Sequence, residues 1–168
     1  MFLQRCDLLR DTLDEPAITT DILVGFPGET EEEFQQTCAA SRAAGFSKIH
    51  IFPFSPRRGT PAAEMSDQVH GDVKADRRRR LAAVERELQQ NYFQSLVGRR
   101  LQVLVESPAE AGRVAGTSCR YAPVELSEAS SDTPPGELPE SVEGRLIWAV
   151  PSRVSGRGLM ATAHPSCH

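Results

Sequence analysis

The stretch Thr20-Asp21-Ile22-Leu23-Val24-Gly25-Phe26-Pro27-Gly28-Glu29-Thr30 leaves this chain few choices of local structure. Residues 17–24 are rich in Ile, Thr and Val, which suit a pleated, buried surface and predict a strand. Gly25 and Gly28 follow at once, and both tolerate a left-handed backbone that other residues avoid. Thr30 and Glu33 then have the spacing of a capping box, with acidic residues filling the first helical turn. Strand, glycine turn and helix start thus come in sequence. In α/β proteins that junction, outside the carboxyl end of a strand, is where ligands bind.

The flanking segments extend the pattern. Phe2, Cys6, Leu9 and Leu13 recur at helical spacing, so the first 14 residues read as an amphipathic helix that stops before Pro16. A second helix is expected from Glu31 to about Ala44, burying Phe34, Cys38 and Ala39, with Gly45 closing its end. Residues 47–52 form the next strand. The order α-β-α-β with short connections calls for a parallel strand pair joined by a right-handed crossover. The proline-rich residues 53–61 form a loop, and a long helix follows over about 71–96 on a stripe of Leu81, Val84, Leu88 and Tyr92. Arg77–Arg80 lie on that helix. Arg78, Arg79 and Arg80 are expected to be solvated and paired with Glu85 and Glu87, the alternative being a nucleic-acid contact.

Beyond Gly98 the period changes to two. Leu101–Val105 alternates, and further short strands are expected at 112–117, 120–126, 144–150 and 157–162, which predicts a small antiparallel barrel. The domain boundary falls near residue 97, giving an α/β domain over 1–97 and a β domain over 98–162. A Ser/Pro/Glu-rich insertion at 127–141 reads as a flexible hairpin loop and 163–168 as a tail. Two parallel strands with three helices do not close a core, because such a sheet needs both faces and both edges covered. The α/β part is therefore expected either to take partner strands from another chain or to be the back half of something larger, and to be poorly stable or aggregation-prone by itself.

Composition narrows the function. A formal net charge of −4 over 168 residues argues against a surface given wholly to nucleic acid. No apolar run is long enough to span a membrane, and Arg5, Asp7 and Arg10 interrupt any signal-peptide core, so a cytoplasmic, soluble chain is expected. Cysteines at 6, 38, 119 and 167 are too far apart for a compact metal-ligand set. Cys6 and Cys38 are expected as buried thiols, and Cys167-His168 as part of the tail.

Two longer motifs carry a resemblance. Thr19-Thr20-Asp21-Ile22-Leu23-Val24-Gly25-Phe26-Pro27-Gly28-Glu29-Thr30, followed by His50-Ile51-Phe52-Pro53-Phe54-Ser55-Pro56-Arg57-Arg58-Gly59-Thr60-Pro61-Ala62-Ala63-Glu64-Met65, is similar to the radical S-adenosylmethionine tRNA methylthiotransferases. The match covers most of residues 1–126. The His50–Ser55 version is closer to the branch acting on threonylcarbamoyladenosine than to the isopentenyladenosine branch. A third branch, acting on a ribosomal protein, is matched less well. The resemblance implies the fold class: α/β plus all-β, the carboxyl-terminal part of a radical-SAM, partial TIM-like barrel (strands five and six), then a TRAM domain, a small OB-like β barrel. It implies S-adenosylmethionine as cofactor and tRNA, at its anticodon stem-loop, as partner. Family members also hold 4Fe-4S clusters on a CxxxCxxC motif and on three further cysteines. Neither set occurs here, so the expectation is a truncated relative, inactive alone, whose amino-terminal half is missing. A non-enzymatic RNA-binding module on a decayed half barrel is the alternative.

By the same resemblance the cofactor wall comprises Gly25, Phe26, Pro27, Gly28, Glu29, His50 and Ser55, with no catalytic or metal-binding residue. For the turn the alternative is a tight βα connection chosen for geometry, and for Glu29 simple helix-start electrostatics. For His50, which faces opposite to Ile49 and Ile51, it is an interior histidine without a ligand. RNA contacts are expected from Arg57 and Arg58 in the loop, unless these are merely solvated, and from Arg99, Arg100, Arg113, Arg120, Tyr121, Arg145 and Arg153 in the β domain. From residue 98 onward seven arginines face eight acids, six of which lie between Glu125 and Glu143. Outside that segment the balance is basic, as backbone-directed RNA binding requires. Arg120-Tyr121 offers a plane for an unpaired base, or else Tyr121 is buried in the barrel.

Overall fold

The structure, a computed structural model, describes residues 1–109, 113–127 and 143–164, with side chains for 1–106, 114–126 and 143–162. The insertion expected at 127–141 and the Cys167-His168 end lie outside these residues, apart from the backbone of Ser127. The chain separates into two compact units, Met1–Tyr92 and Phe93–His168.

The first unit runs α1 (Phe2–Thr12), β1 (Thr19–Val24), α2 (Glu31–Ala44), β2 (Lys48–Pro53), a single turn α3 (Pro61–Glu64) and most of α4 (Gly71–Ser95). β1 and β2 pair in parallel, with Asp21 opposite His50 and Leu23 opposite Phe52. α2 begins on the expected capping box: the Glu33 amide donates to the Thr30 hydroxyl, and the Thr30 amide donates to the Glu33 carboxylate at 2.8 Å. It ends on Gly45 at φ 59°, whose amide reaches the carbonyls of Ser41 and Arg42. The core gathers Val24, Phe34, Cys38, Ala44, Phe46, Ile49, Leu81, Val84 and Leu88, with Ile18, Ile22 and Ile51 at its margin. Full burial of a side chain such as Phe34 or Leu81 contributes about 2–3 kcal/mol.

Three expectations in this unit change. Ala39 is exposed and Ser41 is buried instead, because 34, 38 and 41 follow the helical stripe and 39 lies off it. In α1 only Cys6 is buried, while Phe2, Leu9 and Leu13 are about half exposed. That helix reaches α2 through Cys6 in the shared core and through Arg10, whose guanidinium donates to the Ala44 and Gly45 carbonyls. The arginines of α4 pair differently as well. Arg80 reaches Glu31 and Asp76, and Arg79 reaches Asp76, whereas Glu85 holds Lys48 and Glu87 holds Arg42. Within a helix Asp76 is the carboxylate three and four residues before these arginines, and α2 brings its acidic first turn alongside.

The second unit is a closed barrel of five strands in the order β3-β4-β5-β7-β6: β3 (Leu101–Ala109), β4 (Arg113–Ser118), β5 (Pro123–Ser127), β6 (Leu146–Ser155) and β7 (Gly158–His164). Leu101, Val103, Val105, Val124, Ala149 and Leu159 fill it. The expected all-antiparallel pairing does not hold, since β5 and β7 run parallel. Five is odd, and strand directions cannot alternate all the way around an odd ring. β7 also continues to His164, into the expected tail.

Candidate functional site

β1 delivers its last residue, Val24, to the core, and the chain turns out through Gly25 at φ 73° and Gly28 at φ 83°. The turn is closed from within. The Gly25 amide donates to Glu29 Oε2 at 2.6 Å, and the Glu29 amide donates to the Phe26 carbonyl. The Gly28 amide donates to the Asp67 carbonyl. A Cβ on Gly25 would lie 2.2 Å from Lys74 Cγ, so glycine here admits a packed lysine stem. Lys74 Nζ continues to the Phe54 carbonyl at 3.2 Å.

Glu29 is the centre of this arrangement. Its Oε2 also accepts from Arg77 Nη1 at 2.6 Å, and the same nitrogen reaches the Glu29 carbonyl at 3.0 Å. The two side chains are 5% and 13% exposed, and the Arg77 guanidinium lies over the Phe34 ring. The carboxylate expected at the cofactor wall is thus engaged by the turn's own amide and by α4. Sequence reasoning gave Arg77 no part in this, although 77, 81, 84 and 88 share one helical stripe and place an arginine where the apolar face begins.

The remaining expected residues of this corner are present but spread. Phe26 is 42% exposed and stacks edge-on against Phe54 at 5.3 Å, whose amide donates to the Val24 carbonyl. Pro27 is buried and Gly28 exposed. Ser55, Arg57 and Arg58 are exposed in the loop after β2, at the same sheet edge as the turn. His50 is exposed in mid-strand, which excludes an interior histidine. It shares with Asp21, Leu23 and Phe52 the sheet face that the helices leave bare. An open groove of about 590 Å³ adjoins the turn, lined by Phe26, Gly28, Gln36, Thr37 and Ala40 among others.

Cluster ligands fare worse. Cys6 and Cys38 are buried in the core and Cys119 is exposed in the other unit; burial pushes the Cys38 thiol up. Among the described residues no three His, Cys, Asp or Glu side chains are grouped to hold a metal ion. An iron–sulfur cluster does not fit them.

In the barrel the strand register sorts the expected RNA contacts. Leu101 pairs with Ala149, and the Gly98 amide donates to the Pro151 carbonyl. The Cys119 amide donates to the Gln102 carbonyl. Arg99, Arg100, Arg120, Tyr121 and Arg153 therefore fall at one end of the barrel. Arg113 and Arg145 fall at the other, with Glu106 and Glu143; the Arg113 side chain lies outside the described residues. Tyr121 is 81% exposed at φ 56°, which excludes a buried barrel tyrosine. The turn that presents it is held by the Ser118 hydroxyl, which accepts from the amides of Arg120 and Ala122.

No helix among the described residues is long and apolar enough to cross a membrane. No family model matches the chain. Curated proteins do. The chain is 41% identical over 81% of its length to the tRNA-2-methylthio-N(6)-dimethylallyladenosine synthase of Clavibacter sepedonicus. It is 38% identical over 89% of its length to the synthase of that name from Akkermansia muciniphila. It also matches the threonylcarbamoyladenosine tRNA methylthiotransferase of Bacillus subtilis, 43% identical over 62% of its length. The chain spans 27%, 34% and 23% of those three proteins. These likenesses support kinship with the tRNA methylthiotransferases, with both adenosine branches among the relatives.

Proposed function

We propose that this chain is the carboxyl-terminal portion of a tRNA methylthiotransferase: a partial radical-SAM barrel followed by a TRAM-type, OB-like domain, working in the cytoplasm on a modified adenosine beside the anticodon. The observation that carries this reading is the likeness to such enzymes at 38–43% identity over 62–89% of the chain. The two motifs meeting at one sheet edge support it. In this reading Gly25, Phe26, Pro27, Gly28 and Glu29, with His50 and Ser55, form one wall for S-adenosylmethionine. Phe26 and Gly28 give it exposed surface, and Glu29 gives it rigidity through Arg77. Bound there, S-adenosylmethionine supplies the methyl group and the radical precursor in the intact family. No step of that chemistry is assigned to this chain, because its cysteines do not fit a cluster; the proposal is that it is inactive without a second portion carrying one.

RNA is held in this proposal by Arg57 and Arg58 in the loop and by Arg99, Arg100, Arg113, Arg120, Tyr121, Arg145 and Arg153 in the barrel. The His50–Ser55 motif favours the threonylcarbamoyladenosine branch. The test is filter binding of anticodon stem-loops carrying either modified adenosine, across a salt series. Affinity that falls steeply with salt and is higher for the threonylcarbamoyl form is expected. Absence of RNA binding at low salt overturns the tRNA reading. Reconstitution with iron and sulfide addresses activity: a visible-absorbing bound cluster would overturn the claim of inactivity.

The self-satisfied glycine turn favours a second reading, a non-enzymatic RNA-binding module. Stem-loop binding that survives deletion of residues 1–96, together with no S-adenosylmethionine binding by the full chain, is its expected signature.

A further inference from the structure

The barrel carries an aromatic feature outside all the expected contacts. Trp148, the chain's single tryptophan, lies on β6 opposite Gln102 of β3. Its neighbours Ala149 and Pro151 point inward and are buried, so by strand alternation the indole lies on the outer wall. Arg100, exposed one residue before β3, places its guanidinium carbon 4.3 Å from the centre of that ring. The guanidinium thereby lies over the indole ring. Two residues along the same outer face, Leu104 and Leu146 pair directly and are 40% and 64% exposed.

A guanidinium seated over an aromatic ring is a candidate stacking surface, since nucleobases stack on arginine planes as on aromatic rings. Charge separates RNA from a protein partner as the occupant. Arg99, Arg120 and Arg153 lie at this end of the barrel, and Glu106 and Glu143 at the other. The exposed Tyr121 adjoins from the far side of β3, on the turn whose Cys119 amide bonds Gln102. We propose that an unpaired base of RNA stacks on the outer face of the Arg100 guanidinium, with Trp148 as its backing, so that this end of the barrel reads single-stranded rather than helical RNA. The inference rests on the tRNA reading and adds the site and strandedness to it.

Trp148 reports on its own environment. The full chain is titrated with a short oligoadenylate, and with the same strand annealed to oligouridylate, while tryptophan emission and its acrylamide accessibility are followed. Saturable quenching and acrylamide protection by the single strand, at least about fivefold stronger than by the duplex, are expected. Arg100→Lys keeps the charge and removes the plane. It is expected to weaken single-strand binding by about tenfold, with an unchanged salt slope and far-UV spectrum. Three results would overturn the proposal: filter-detected RNA binding without any change at Trp148, Arg100→Lys binding as tightly as the parent, or a dimer seen by sedimentation that Leu146→Ser dissolves, which would assign the face to a second copy. The first two leave the tRNA reading standing. Absence of binding by any RNA removes both.

Discussion

Glu29 shows how far one residue's role departs from the part its motif suggests. A carboxylate after a glycine turn, at a helix start, is equally readable as ligand contact or as dipole complement. The structure commits it to Gly25 and to Arg77, 48 residues away. That distance is why the pairing was illegible: local sequence identifies the turn but not which distant side chain completes it. With both side chains nearly enclosed, removing one partner strands the other, which costs about 3–5 kcal/mol. Arg77→Ala is expected to lower unfolding free energy in urea by about that amount. The double variant with Glu29→Gln is expected to lose less than the sum of the single losses, by 1 kcal/mol or more of coupling; strict additivity would mean that the pair does not act as a unit. The cysteines test burial at the same scale. Cys38, its thiol pushed up by burial, and the buried Cys6 should resist iodoacetamide until urea is added, while the exposed Cys119 reacts at once, read by peptide mass mapping.

Elements with local punctuation were legible. α2 starts and stops where Thr30 and Gly45 say it does, because a cap and a left-handed terminator act within a few residues of chain. α1 was legible as a helix but not in its burial, since apolar spacing names a face without saying whether anything covers it. The barrel's strands were legible from their alternation, its closure through a parallel β5–β7 pair only from strand count and connectivity. The cap of α2 makes a pH prediction. Glu33 is held below the usual carboxylate range, chiefly by the Thr30 amide and then its hydroxyl. A carboxylate with a depressed folded value contributes stability above its unfolded pKa, and loses it as pH falls through the folded one. From about pH 4.3, the ordinary glutamate value, downward, the parent should therefore lose stability that a Glu33→Gln variant never had. Melting curves of the two between neutral pH and pH 3 should converge; a constant gap would show that Glu33 acts without its charge.

At the scale of the molecule, the two units differ in how they handle sheet surface. The barrel closes on itself and leaves no sheet edge. The α/β unit covers one face of a two-stranded sheet with helices and leaves the other bare, with Leu23 47% and Phe52 50% exposed as direct cross-strand partners. That the sheet needed more cover was legible from its strand count. Which face would be bare was not, because Ile22 and Leu23 are equally apolar and only the turn's exit through Val24 sets the register. An exposed apolar pair contributes little to the fold that leaves it in water, yet it attracts hydrophobic dyes and like surfaces. The double variant Leu23→Ser, Phe52→Ser should thus cut the fluorescence enhancement of bound anilinonaphthalene sulfonate by about half. It should leave the unfolding free energy of this unit within about 0.5 kcal/mol of the parent, as surface changes generally do. A midpoint that collapses instead would mean that these side chains hold the fold together, and that the bare face is covered in solution by a second molecule.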